Sequence, residues 1–172
     1  MGNPRVADEA AALPRGGMAL IVIDVGCAVH HGHDSIRRLI GRFHPKLLLG
    51  FDPWPKLRPG TVNINGTTVV RSRAAAWVHG HGSFLVLDGW GSYTDDVAPA
   101  DEKIVQIKTF DLASLIEALP RPLVLKLNAE GAEYPVLHHL VDLGLDAKLD
   151  LCIVQWHDTG RVQMACPVEE YT

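Results

Sequence analysis

The run Ala19–Val25, ALIVIDV, constrains the fold more than any other stretch of the chain. It is almost continuously Ile, Val, Leu and Ala, with no alternating polar face. That pattern fits a strand inside a parallel sheet covered on both sides. The run ends in Asp24-Val25-Gly26, where a glycine lets the backbone pass close to a neighbour or a ligand. Directly behind it stand the histidines of HHGH (30–33).

More segments of the same kind follow. Asp34-Ser35 caps a helix over SIRRLIGRF, with Ile36, Leu39, Ile40 and Phe43 on one face, and His44-Pro45 stops it. KLLLGF (46–51) is a second buried strand ending at Asp52-Pro53, which completes a βαβ unit. The stretch DPWPKLRPGTVNING is too rich in proline for the next crossover helix and reads as irregular. TTVVRSRAAAW (67–77) reads as one strand and SFLVL (83–87) as another, with DGWGSYTDD as a loop and 104–108 as an edge strand. Asp111 caps a short helix through Ala118. LVLKL (123–127) is a buried strand leaving through NAEGAE (128–133), before a helix over 134–143 that Gly144 closes. LDLCIVQW (149–156) is a further strand, and RVQMACPVEEYT can add an edge strand. Strands alternating with helices give an α/β fold, a compact mostly parallel central sheet with helices on both faces.

With 172 residues the chain fits a single domain over 18–172, preceded by a loosely held arm over 1–17. A net charge of -4 without a long basic run argues against a general grip on nucleic acid. No apolar run reaches membrane-spanning length, and MGNPRVADEAAALPRGG lacks the apolar core of a signal peptide. The three cysteines are odd in number with no CxxC, so a reduced, cytoplasmic protein is expected.

In open α/β sheets, ligands bind beyond the carboxyl ends of the strands. Three such ends here are polar: Asp24-Val25-Gly26, Asp52, and Asn128-Ala129-Glu130-Gly131. An acid at the second strand's tip suits the paired hydroxyls of a ribose. The loop GCAVHHG is not the G-x-G-x-x-G that a pyrophosphate requires. A nucleoside without a phosphate fits better, and S-adenosylmethionine belongs to that class.

The ordered blocks VIDVGCAVHHG, LLLGFDPWP, RAAAWVHGHGSFLVLDGWGS, VQIKTFDLASLIEALPRPLVLKLNAEGAEYPVL and CIVQWHD resemble the FkbM-type methyltransferase family. The resemblance spans about residues 19–158, and its most specific block is KLNAEGAE, similar to the family's K-x-D-x-E-G-x-E. It implies a Rossmann-like Class I methyltransferase fold that uses S-adenosylmethionine, usually to O-methylate a small molecule or sugar. By motif position, Asp24, Gly26, Cys27, Ala28 and His30 match the first cofactor loop. Asp52, followed by Pro53, matches the ribose-binding acid, and Ala75-Ala76-Trp77 fall on the adenine side. Glu130 and Asn128 belong to the fourth-strand block. The chain departs from the family at Ala28, where Asn is usual, at His30, where a second Gly is usual, and at Asn128, where Asp is usual. Those departures support a second reading, a binding protein on the same fold without turnover.

Glu130 and His157 are the candidate bases for a methyl acceptor, and Glu130 can alternatively cap the following helix. Lys126, flanked by apolar residues, either touches substrate or reaches an acid such as Glu130 or Glu133. Trp90 and Ser92 are candidate substrate contacts. The histidine clusters lack HExxH or CxxC spacing, so no metal is expected, and a metal-dependent hydrolase is a third reading.

Overall fold

The computed structural model describes residues 19–27, 34–78, 81–87, 90–94 and 103–157, with the backbone alone for 81–87, 90–94 and 103–107. Its main sheet has six strands. β1 (Ile21–Val25) and β2 (Leu47–Phe51) are buried at every residue, as their apolar runs lead one to expect, although β1 also buries Asp24. Between them lies α1 (Ser35–Phe43), capped by Asp34, whose carboxylate accepts from Arg37 N at 2.9 Å. The helix buries Ile36, Leu39 and Ile40.

The proline-rich stretch after β2 is not wholly irregular. It ends in an antiparallel hairpin, β3 (Gly60–Ile64) and β4 (Thr67–Ser72). The two turn residues, Asn65 and Gly66, have φ of 52° and 84°, the pair of positive values that Asn-Gly hairpin turns favour. β4 lies parallel to β2. The expected strand over 67–77 is therefore two strands: it breaks after Ser72, and β5 (Ala75–Trp77) pairs with a different sheet.

That second sheet has the order β5-β8-β6-β7, with β6 spanning His81–Leu87, β7 Trp90–Thr94 and β8 Lys103–Asp111. β7 runs through the segment expected to be a loop. The ends of β6 and β7 meet at Leu87 and Trp90, and the sequence between them is Asp88-Gly89, another hairpin dipeptide. β8 is longer than expected and pairs with β6 on one side and β5 on the other, so it is not an edge.

α2 (Leu112–Ala118) is capped by Asp111, which accepts from Ala113 N at 2.9 Å. The chain then returns to the main sheet through β9 (Leu123–Leu127), α3 (Glu133–Asp142) and β10 (Leu151–Val154). The main sheet has the order β10-β9-β1-β2-β4-β3, all parallel except β3. From β1 the chain winds outward through β2 to β4, then crosses back to β9 on the other side of β1. The winding therefore reverses between β1 and β9.

The sheet has apolar cover on both faces. Val22, Leu48, Val69 and Val124 pack with Ile36, Leu39 and Ile40 of α1 on one face. Ile21, Ile23, Leu47, Leu49 and Leu125 pack on the other with Ile116 of α2 and Val136 and Leu140 of α3. Among the described residues, no helix is long and apolar enough to cross a membrane.

Candidate functional site

β1 leaves the sheet through Gly26, whose φ is 78°. A Cβ there would stand 2.0 Å from the backbone oxygen of Asn128, so both the dihedral and the close approach demand glycine. Gly26 N and Cys27 N donate to Phe51 O at 2.8 and 3.2 Å, and Asn128 N donates to Val25 O at 3.1 Å. The exits of β1, β2 and β9 are thus joined backbone to backbone.

Beneath this junction lies a buried ion pair. Parallel pairing places Asp24 opposite Lys126, and Nζ lies 3.1 Å from Asp24 Oδ1. The same ammonium donates to Val25 O at 2.9 Å and Gly26 O at 2.8 Å. Ser35 Oγ, from the first turn of α1, donates to Asp24 Oδ2 at 2.6 Å. Asp24 is completely buried. Burial raises its carboxyl above the usual carboxylate range, against the opposing pull of Lys126 and Ser35, while the Asp52 charge adds to the rise. Of the acids the sequence offers Lys126, the structure selects Asp24, one strand away, rather than Glu130 or Glu133. Lys126 is thereby committed to the sheet edge.

Asp52 sits at the tip of β2, mostly buried, and its Oδ1 accepts from Trp54 N at 2.8 Å across Pro53. Asp24 and Asp52 both act electrostatically on Cys27. The Cys27 thiol is raised first by burial and then by these two charges, and it packs in the α1-side core against Gly50. Its side chain is a core hydrophobe, and only its backbone belongs to the loop.

A second cluster lies along the same edge, where β9 and β10 end. Glu133, the first residue of α3, is completely buried. Its Oε2 accepts from Gly131 N at 2.8 Å, and its Oε1 accepts from Ala129 N at 2.5 Å. Oε1 also lies 3.0 Å from His157 Nδ1. The other ring nitrogen, Nε2, is 3.7 Å from Glu130 Oε2 and 3.3 Å from Gln155 Nε2. Gln155 Oε1 in turn accepts from Asn128 Nδ2 at 3.3 Å. The hydrogen bond to Glu133 raises the His157 pKa most; burial opposes it, and the charges of Glu130 and Glu133 add to the rise.

The structure therefore brings Asn128, Glu130 and His157 together. It also corrects the expected cap of α3. Glu130 occupies a left-handed position with φ 53°, the N-cap is Ala132 without a side-chain cap bond, and Glu133 accepts from Ala129 N and Gly131 N of the loop before the helix. Glu133 was not among the expected site residues. Its signal was its place at the head of a helix behind an Ala-Glu-Gly-Ala loop, where a carboxylate meets unpaired N–H groups. Ala75, Ala76 and Trp77 are buried in the large core shared with α2 and α3. Trp90 and Ser92 lie on β7, with only the backbone described, and Ala28 and His30 fall outside the described residues.

Among the described residues, no group of three or more His, Cys, Asp or Glu is placed to hold a metal ion. The chain matches no family model, no curated protein and no solved structure.

Proposed function

We propose that this chain is an S-adenosylmethionine-dependent methyltransferase on a Rossmann-like Class I fold, acting on a hydroxyl of a small or sugar-like acceptor. One observation carries the reading: the parallel winding reverses between β1 and β9, and the Gly26 and Asn128 exits at that reversal adjoin a histidine held by a buried carboxylate. The resemblance of the KLNAEGAE and VIDVGCAVHHG blocks to FkbM-type enzymes points the same way.

The donor set fits such a nucleoside in a specific respect. Among the described residues, Asn128 Oδ1 is buried at this edge without a hydrogen-bond partner, an acceptor left over for a ligand's donor. Asp52 would hold the ribose hydroxyls, and the backbone at Gly26 and Cys27 would line the cofactor. When bound, the cofactor supplies a methyl group on a positively charged sulfur. His157 Nε2 takes the acceptor's proton, and the neighbouring carboxylates stabilise the imidazolium that results. Glu130, beside Nε2, orients the acceptor hydroxyl. Asp24 and Lys126 touch neither ligand and hold the edge in shape.

Titration calorimetry with S-adenosylmethionine and S-adenosylhomocysteine tests the reading. Binding of both is expected, with Asp52→Ala weakening each while the domain stays folded. Dissociation constants above about 1 mM for both, equivalent to about -4 kcal/mol, would overturn it.

A further inference from the structure

We infer that Glu133 is a positioning residue: its buried carboxylate fixes His157 with the proton on Nδ1 and leaves Nε2 facing Glu130 as the atom that exchanges protons. A carboxylate only accepts, and Glu133 already accepts from two backbone N–H groups. The ring nitrogen 3.0 Å from Oε1 must therefore be a donor, which selects the tautomer. In neutral His157 the Nε2 lone pair faces the Gln155 amide at 3.3 Å; on protonation the same atom turns donor toward Glu130 Oε2 at 3.7 Å.

The two backbone bonds do a second task. They hold Ala129 and Gly131 on either side of Glu130, so the left-handed turn that carries the Glu130 side chain to His157 depends on Glu133 as well. One buried side chain thus sets the ring orientation and the loop opposite it. The charged groups acting on the ring are Glu133 from α3, Glu130 from the loop before it, and Lys126 from β9, with the Gln155 amide beside Nε2.

The inference rests on the methyltransferase reading for its catalytic meaning but not for its test. Nitrogen-15 NMR of the imidazole is followed through a pH titration in the wild type, in Glu133→Gln and in Glu130→Gln. In the wild type the Nδ1–H tautomer is expected, with a midpoint above that of free histidine. Glu133→Gln should return the midpoint toward the ordinary value and mix the tautomers, whereas Glu130→Gln should move the midpoint less and leave the tautomer alone. If methyl transfer is found, Glu133→Gln should lower kcat about 100-fold or more with the cofactor KM held, and move the acid limb of the pH profile with the NMR midpoint. A purely structural Glu133 would lower stability and leave the midpoint where it was. An Nε2–H tautomer in the wild type overturns the inference even if the variant does not fold. Failure to bind S-adenosylmethionine with the NMR result intact would remove the proposed function and keep the positioning role.

Discussion

Replacing Lys126 by Met removes the ammonium paired, among the described residues, with a carboxylate that has no contact with solvent. At a separation of 3.1 Å and an effective dielectric constant of about 20, the pair interaction is about 5 kcal/mol. Removing one partner of a buried pair costs about 3–5 kcal/mol because the other charge stays behind. The two estimates agree, and the carbonyls of Val25 and Gly26 lose a donor as well. Lys126→Met is therefore expected to lose about 4 kcal/mol in urea unfolding. In a chain of 172 residues that corresponds to a fall in Tm of about 8–16 °C.

Asp24→Asn in the same chain removes the stranded charge and keeps an acceptor for Ser35. The double variant should be more stable than Lys126→Met alone, with a coupling of about 2–3 kcal/mol. Acid should act in the same direction. Asp24 already stands above the usual carboxylate range, and loss of Lys126 raises it further. An acid whose folded pKa exceeds its unfolded value makes folding take up a proton, so stability rises as pH falls through that window. The gap between wild type and Lys126→Met should accordingly narrow as pH drops from 7 toward about 4. A loss under about 1 kcal/mol, or a double variant whose cost is the sum of the singles, would refute this account of the edge.

Gly26→Ala should destabilise the domain by at least about 1–3 kcal/mol from its positive φ alone, measured by urea unfolding, because the 2.0 Å approach to the Asn128 oxygen adds a backbone clash. Lys148→Met should cost about 1–2 kcal/mol and speed hydrogen exchange at the end of α2, since Nζ donates to Ile116, Glu117 and Leu119 carbonyls at 2.8, 2.7 and 3.0 Å. The His157 pKa is raised, so its pairing with Glu133 stabilises fully below about pH 6.5 and less as pH climbs through the folded value. The stability difference between wild type and His157→Gln should therefore be larger at pH 5 than at pH 9.

The parallel sheet was legible because strands buried on both faces announce themselves as unbroken apolar runs. β2 fills such a run, β1 and β9 fill runs interrupted only by Asp24 and Lys126, and α1 and α2 start at the expected Asp caps. What escaped was antiparallel structure. The Asn65-Gly66 turn and the Asp88-Gly89 pair both carry hairpin chemistry, but the prolines before one and the aromatic and polar residues after the other hid the strands they join. The break at Ser72 was hidden for a different reason. Nothing in TTVVRSRAAAW says that Ala75–Trp77 will find β8 rather than continue beside β2, because that choice is made by partners more than thirty residues away. At the site, Asn128, Glu130 and His157 were legible from their strand ends. The pairing of Lys126 with Asp24 was not, since it depends on which strand lies next to β9, and on register.

That pairing explains why an apolar strand ends in a carboxylate. Where the winding reverses, β1 and β9 depart in opposite directions, and Val25 O still accepts from Asn128 N at 3.1 Å. Lys126 reaches across and gives donors to Val25 O and Gly26 O. An ammonium only partly exposed needs a counter-charge, and the residue in register beside it is Asp24, held from above by Ser35 of α1. The charge thus has a structural part at the fold's own reversal, as the partner of Lys126. It leaves the outward chemistry to groups farther along the edge, where His157 keeps 21% of its side chain in solvent while Asp24 and Glu133 keep none. Asn128, Glu130 and His157 stay partly exposed at this edge, while Asp24 and Glu133 act through the residues they hold.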